Sequence, residues 1–319
     1  MRQCVIWGAA EGYEHIINQV KFEEWKSNVQ CVAVLSKSKA RYIKKFDGYP
    51  LVCKEDLNGI AFDYLIIPQT KDYAEIKQEA LALGIPDNKI ISSKVFQIPC
   101  FDFKRYASLR ENPVTILSDD CWGGKVYREL NLPFTSPLIN IYWPRESFCE
   151  FIKDPLFYLG KPLRMVRDGV PREGTFPIGR LGDEARSVEL HFVHSKSSQE
   201  AEEHWKRRAE RINKDRLFVK FAFEASDPRR EEYLSVFGRL ACPKICAYPG
   251  EAGEKDQDVF YSRMFERDWY YKKRLEMWEF RTWFLQMENT KKAVDLLKLL
   301  NGCSATRFLR KADRINEKK

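Results

Sequence analysis

The chain has 319 residues, enough for two domains of ordinary size, and its 44% hydrophobic and 13% aromatic content is that of a folded globular protein. Its 54 Lys and Arg against 46 Asp and Glu leave a formal charge of +8, mostly beyond residue 105, which suits small anionic substrates or peripheral contact with a membrane surface and excludes the concentrated basic stripe of a nucleic-acid binder. No run approaches the roughly 20 apolar residues of a membrane span, and Met1-Arg2-Gln3-Cys4 leads straight into a strand rather than a signal peptide, so a cytoplasmic protein is expected.

The nine cysteines are odd in number and mostly sit inside apolar runs, as reduced thiols do. Cys242-x-x-x-Cys246 has no second pair and no flanking histidine, so no metal site is expected there.

In chain order, Gln3–Trp7 reads as a strand, Tyr13–Lys26 as a helix, and Cys31–Leu35 as a continuous apolar strand of the parallel-sheet kind. Tyr64–Ile67 is a further strand, Tyr73–Leu83 a helix stopped by Gly84, and Lys89–Ile91 a last strand. Four parallel strands with crossing helices are expected over residues 1–105. A connecting helix, Phe103–Leu109, runs toward Pro113, and residues 106–319 form a second α/β domain.

That domain opens with the strand Val114–Leu117, followed by Ser118-Asp119-Asp120-Cys121-Trp122-Gly123-Gly124 and a helix-like run, Lys125–Leu130. Ser147–Lys153 reads as helix and the Gly- and Pro-rich stretch 160–183 as loop. Val188–His194 reads as strand, Ser198–Asn213 as a polar helix capped by Ser197 or Ser198, and Leu217–Phe223 as strand. Pro228–Leu240 is helical in pattern, Lys244–Tyr248 strand-like, and residues from Asp268 to about Leu300 helical, with a charged tail to Lys319.

The motif at 118–124 stands where a strand hands over to a helix, at the sheet edge where ligands of open α/β folds sit. Cys121 at a helix N-terminus is a candidate nucleophile, because the dipole and unpaired N–H groups favour a thiolate; Asp119 and Asp120 oppose this. Gly123 and Gly124 either let the backbone curl around an anionic group or let the helix begin close to a neighbouring segment.

Residues 190–194, LHFVH, bring at least one imidazole to that edge. His191 and His194 point to opposite faces of a regular strand, and His194, nearest the end, is the better general base. Asn140, after Ser136-Pro137, is a candidate orienting amide. Arg208 and Arg211, beside Trp205, either grip a phosphate or carboxylate or belong to a solvated face. In the first domain, Gly8 and Gly12 stand where a phosphate-binding turn would, but Ala10 and Tyr13 replace two glycines of the dinucleotide fingerprint, and Ser36-Lys37-Ser38-Lys39 stands where an acid would hold ribose. A nucleotide-free domain and a nucleotide or nucleotide-sugar site both remain open.

The run 118–124 with Tyr127, Leu130, Ser136-Pro137, Asn140, His191-Phe192-x-His194 and Trp205–Asn213 resembles a bacterial family of uncharacterised proteins named for exopolysaccharide biosynthesis and acetyl transfer, over roughly Pro113–Tyr248. The first domain is similar to the Rossmann-like domains attached to sugar-modifying enzymes, with the departures at Ala10 and Tyr13. The resemblance implies surface-glycan assembly in capsule, exopolysaccharide or lipopolysaccharide biosynthesis, and carries over no catalytic residue.

Together these point to a transferase, acting on a small-molecule or glycan substrate, with Cys121, His194 and Asp120 as catalytic residues. Asp119, Trp122, Gly123, Gly124, Asn140, His191, Arg208 and Arg211 would bind substrate. Acyl transfer from acyl-CoA to a sugar, with a Cys121 thioester as its bolder form, is the leading expectation. A glycosyltransferase using a nucleotide sugar and a divalent metal on Asp119 and Asp120, and a non-catalytic glycan- or nucleotide-binding subunit, are the alternatives.

Overall fold

The computed structural model describes residues 1–8, 12–36, 42–98, 100–169, 175–222, 227–248, 259–261 and 295–303. The fold is mixed α/β, built as two compact units: Met1–Glu111 with Glu129–Pro133, and Asn112–Arg128 with Phe134–Lys319. Among the described residues no helix is long and apolar enough to cross a membrane. All nine cysteines are free thiols.

The first unit is centred on β1 (Arg2–Trp7), flanked by β2 (Val29–Leu35) and β5 (Tyr64–Ile67), both parallel to it. β4 (Tyr49–Val52) and β6 (Ile90–Ser92) extend the sheet in parallel on either side, and β3 (Lys45–Phe46) adds an antiparallel edge, giving the order β3-β4-β2-β1-β5-β6. Four strands were expected. The additional pair is a hairpin whose two-residue turn, Asp47-Gly48, has φ of 54° and 89°, the Asp-Gly turn with both residues left-handed that suits strand twist.

Helix α1 (Tyr13–Trp25) buries Ile16, Ile17 and Val20, and α2 (Tyr73–Ala82) follows β5. Glu23 of α1 is fully buried, with its carboxylate taking the Nδ2–H of Asn28 at 2.7 Å and the main-chain N–H of Phe103 at 3.0 Å. Phe103 opens α3 (Phe103–Glu111), so Glu23 supplies an acceptor at a helix N-terminus, where unpaired N–H groups want one. α3 falls wholly in the first unit. The expected loop residues Ala9–Glu11 and Lys37–Lys39 lie outside the described residues.

The second unit holds two sheets. One is parallel, with β7 (Thr115–Ser118), β11 (Leu217–Ala222), β12 (Lys244–Tyr248) and β13 (Val259–Tyr261) in the order β13-β12-β11-β7. The other is antiparallel, β8 (Arg164–Arg167), β9 (Ile178–Gly182) and β10 (Ser187–His191). Helices α4 (Trp122–Glu129), α5 (Arg145–Lys153), α6 (Pro155–Leu159), α7 (Ser198–Ala209), α8 (Arg230–Arg239) and α9 (Leu296–Leu300) complete it. Trp143, Phe148, Phe151, Leu190, Trp205, Phe221 and Tyr233 belong to one buried cluster.

Residues 160–183 carry two strands, β8 and β9, within the expected loop. The glycines that suggested a loop serve close packing, since a Cβ on Gly179 would stand 2.7 Å from Leu163 Cδ1 and 3.1 Å from Phe192 Cε2. Likewise β10 stops at His191, so Val188–His194 is not one strand. Of the expected C-terminal helix only Leu296–Leu300 falls among the described residues, and Phe223 and Lys319 lie outside them.

Because, among the described residues, β7 pairs only with β11, its outer edge needs partners. Tyr127 of α4 provides them: its hydroxyl accepts the Ile116 N–H at 2.8 Å and donates to the Val114 carbonyl at 2.7 Å. Tyr127→Phe is expected to lower unfolding free energy by about 1–3 kcal/mol, the cost of an unsatisfied buried donor, read as a reduced urea midpoint at unchanged m-value.

Candidate functional site

The turn between β7 and α4 is held by a lysine on the neighbouring strand. Lys220 lies inside the apolar run of β11, opposite Ser118 in the register, and is completely buried. Its Nζ donates to Asp119 Oδ1 at 2.8 Å and to Asp120 Oδ2 at 2.6 Å. The other carboxylate oxygens are used as well: Asp119 Oδ2 accepts the Ala222 N–H at 3.0 Å, and Asp120 Oδ1 accepts the Trp122 N–H at 2.8 Å and the Ser118 hydroxyl at 3.0 Å.

A buried ammonium is tolerable only when paired and hydrogen-bonded in this way. Burial, with the charge of Asp120 adding to it, pushes the Asp119 carboxyl up to about 6 against the opposing pull of Lys220. Asp120 is also penalised by burial, but Lys220 and the Trp122 and Ser118 hydrogen bonds hold it below the ordinary range. The two carboxylates in turn raise Lys220 above the usual lysine value although its burial works to lower it.

Cys121 follows. Its carbonyl accepts the Lys125 N–H at 3.2 Å, which makes it the capping residue of α4, and its half-buried Sγ lies 3.6 Å from His194 Nε2. His194 reaches it because the chain turns after β10, closed by the Ser195 N–H on the Phe192 carbonyl at 3.0 Å. Burial raises the Cys121 thiol, with Asp120 adding to the rise and Lys125 and Lys220 opposing it. The sulfur therefore rests as a thiol at neutral pH, and an imidazole stands within reach to take its proton as it attacks.

The remaining predicted residues divide. Asp119, Asp120, Trp122, Gly123 and Gly124 surround Cys121, but Asp119 is committed to Lys220 and Trp122 is buried, stacked on Phe218 with ring centroids 6.1 Å apart. The two glycines sit inside α4, where a Cβ on Gly123 would meet Ile116 Cγ2 at 3.1 Å and one on Gly124 would meet Ile139 Cγ2 at 3.3 Å. Close packing is thus their first role. Gly123→Ala is expected to cost about 1–2 kcal/mol despite its better helix propensity, because buried Ile116 cannot give way in its strand; thermal melting checks it.

Asn140 is exposed, with a left-handed φ of 62°, and its Oδ1 lies 3.9 Å from where a Gly124 Cβ would be. Arg208 supports the Asn140 segment by donating to the Ile139 carbonyl at 2.8 Å. Burial lowers Arg208, with Arg207 and Arg211 adding to the effect.

The expected arginine pair is not formed: Arg211 is exposed beyond the end of α7, while Arg208 binds main chain. His191 is apart from Cys121 as well, its Nε2 at 2.8 Å from Glu189 Oε1 and its ring between those of Tyr142 and Phe176. In the first unit Gly8, directly after β1, and Gly12, the N-cap of α1, have φ of 101° and 81°, and the Gly8 N–H donates to the Leu35 carbonyl at 2.8 Å; left-handed backbone of this kind favours glycine.

Lys220 is the site residue that the sequence reading missed. Its signal is a lone charge in the middle of LFVKFA, a strand buried at Phe218, Val219 and Phe221.

The Asp119 and Asp120 carboxylates converge on the Lys220 ammonium, so they do not fit the role of divalent-metal ligands, and no group of three His, Cys, Asp or Glu side chains suited to a metal occurs among the described residues.

The second unit is thus an α/β fold with a thiol–imidazole pair at the carboxyl end of its edge strand. The chain belongs to the family described as Domain of unknown function (DUF1919), which matches residues 92–301, and residues 1–91 match the description C2185-like, N-terminal. An uncharacterized protein of Haemophilus influenzae is 27% identical over 187 residues, 55% of this chain and 86% of that protein. The solved GsuK RCK domain aligns over 85% of this chain and 61% of its own length, at 11% identity and a TM-score of 0.18, which carries no argument about the fold.

Proposed function

We propose that the protein is a cytoplasmic acyltransferase of surface-polysaccharide assembly that works through a thioester on Cys121. The observation that supports this reading is the 3.6 Å separation of Cys121 Sγ and His194 Nε2 at the start of α4.

In the reading, His194 takes the thiol proton as Sγ attacks the carbonyl carbon of an acyl-CoA thioester. The tetrahedral intermediate carries its negative charge on oxygen, beside the first-turn N–H groups of Gly123 and Gly124, which have no partner within a helix. Collapse expels the CoA thiolate, which recovers the proton from His194. His194 then removes a proton from a sugar hydroxyl, whose oxygen attacks the Cys121 thioester. The sulfur leaves as thiolate and is reprotonated, releasing the acylated sugar. Asp120 keeps the turn in place and takes no part in proton transfer, since both of its oxygens are hydrogen-bonded elsewhere.

The test is intact-mass spectrometry after incubation with acetyl-CoA, beside a thermal-shift panel of acyl-CoA donors and nucleotide sugars with and without magnesium or manganese. A single acetyl adduct, mapped to Cys121 and released by hydroxylamine, together with stabilisation by acyl-CoA, is expected. Metal-dependent stabilisation by a nucleotide sugar with no adduct would replace the reading with glycosyl transfer, and silence across the panel with a binding subunit.

A further inference from the structure

Resting on that reading of the Cys121–His194 pair, we propose that Lys220 is its positioning residue: the buried ammonium clamps the side chains of residues 119 and 120 and so fixes the turn that holds Cys121 Sγ against His194.

A position wholly enclosed between apolar strand residues is filled at least as well by Met or Leu, and exchanging buried ion pairs for apolar groups is often neutral or stabilising. Here one ammonium meets two carboxylates on consecutive residues, which leaves a net negative charge. Neutralising a lone lysine needs only one of them.

The second acid has a separate use: Asp120 Oδ1 receives the Trp122 N–H and Ser118 hydroxyl while Oδ2 is held by Lys220. Asp119 is tethered by its main chain too, its N–H on the Lys220 carbonyl at 3.4 Å and its carbonyl receiving the Trp143 N–H at 3.3 Å. Of residues 118 to 122, those at 118, 119, 120 and 122 are therefore all bonded into the clamp. Cys121 has its side chain directed at His194 instead.

The clamp also sets the local charge. The ionisable groups acting on the thiol are Asp120, Lys125 and Lys220, with His194 in contact. Asp120 disfavours the thiolate, and Lys220 offsets it from the far side of the same carboxylate. Removing the lysine and removing the acid should thus move thiol reactivity in opposite directions, whereas a lysine that merely stabilised the fold would move neither.

The experiment is the pH dependence of iodoacetamide alkylation of Cys121 in the full chain, followed on the Cys121 peptide by mass spectrometry so that the other cysteines do not contribute. Lys220→Met is expected to shift the midpoint upward by about one pH unit, roughly a tenfold slower reaction at neutral pH. Asp120→Asn, which keeps an acceptor for the Trp122 N–H and leaves a one-to-one Lys220–Asp119 pair, is expected to shift it downward.

Should Lys220→Met fail to fold, the direction of the Asp120→Asn shift decides. Midpoints within error of the wild type in every folded variant would overturn the proposal, even where an acetyl adduct forms. Opposite shifts would sustain it even where acetyl-CoA leaves no adduct, because alkylation uses no acyl donor.

Discussion

Replacing Cys121 with Ser is expected to lower acyl transfer by at least about 10³-fold, since the hydroxyl is a much poorer nucleophile than the thiol when its base is a single imidazole. The fold should be unaffected, because the Cys121 side chain makes its contact with His194 and carries none of the hydrogen bonds that hold the turn. His194→Ala should give a comparable loss. The double variant should be no worse than either single one, because residues that act as a unit are not additive.

Near wild-type turnover in Cys121→Ser would rule out the thioester, while a loss confined to KM would make Cys121 a binding group.

The legibility of this chain in its sequence follows physical lines. β1, β5 and α2 were readable because their apolar pattern agrees with their final burial: Val5, Ile6, Leu65 and Ile66 are fully enclosed in a parallel sheet covered on both faces. The hairpin around Asp47-Gly48 was missed because its strands, Lys45–Phe46 and Tyr49–Val52, are too short to show a period, although the turn dipeptide is present. β9 was missed because Gly179 and Gly182 mimic a loop, when one makes room for neighbouring side chains and the other takes a φ of 116°.

At the site, the position of Cys121 before a helix could be read from the order of residues. Its distance from His194 could not, since it depends on a turn at Phe192–Ser195 and on two separate sheets. The partner of Asp119 and Asp120 was hidden for a related reason. Paired acids suggest a metal when no cation is in view, and the cation that decides the matter comes from Lys220, a hundred residues away in the chain.

The largest stability effect is expected at that lysine. Lys220→Met should cost about 3–5 kcal/mol, the range for leaving buried charges without their partner, and more than Tyr127→Phe or Gly123→Ala. Its cost should shrink at acid pH, where the carboxylates are neutral.

The pH dependence of the wild type carries the sign of the same arrangement. Asp119 in the folded state sits at about 6, above the ordinary value of about 3.9. The folded protein therefore binds more protons than the unfolded chain in this window, and stability contributed by protonated Asp119 is complete below about pH 4 and lost as pH rises through 6, on the order of 3 kcal/mol. Asp120, held below the ordinary range, acts oppositely: its contribution is present above the unfolded value and lost as pH falls through the folded one.

The two together place the maximum of this cluster's contribution near pH 4, the unfolded carboxylate value, with a decline between about pH 4 and 6. Asp119→Asn should abolish this decline between about pH 4 and 6, leaving a neutral Lys220–Asp120 pair that is as stable at pH 8 as the wild type or more so. Urea denaturation of both proteins across pH 4 to 8 checks it. A wild-type profile that climbs steadily through this range, with the same slope in Asp119→Asn, would mean that Asp119 stays ionised and that Lys220 outweighs its burial.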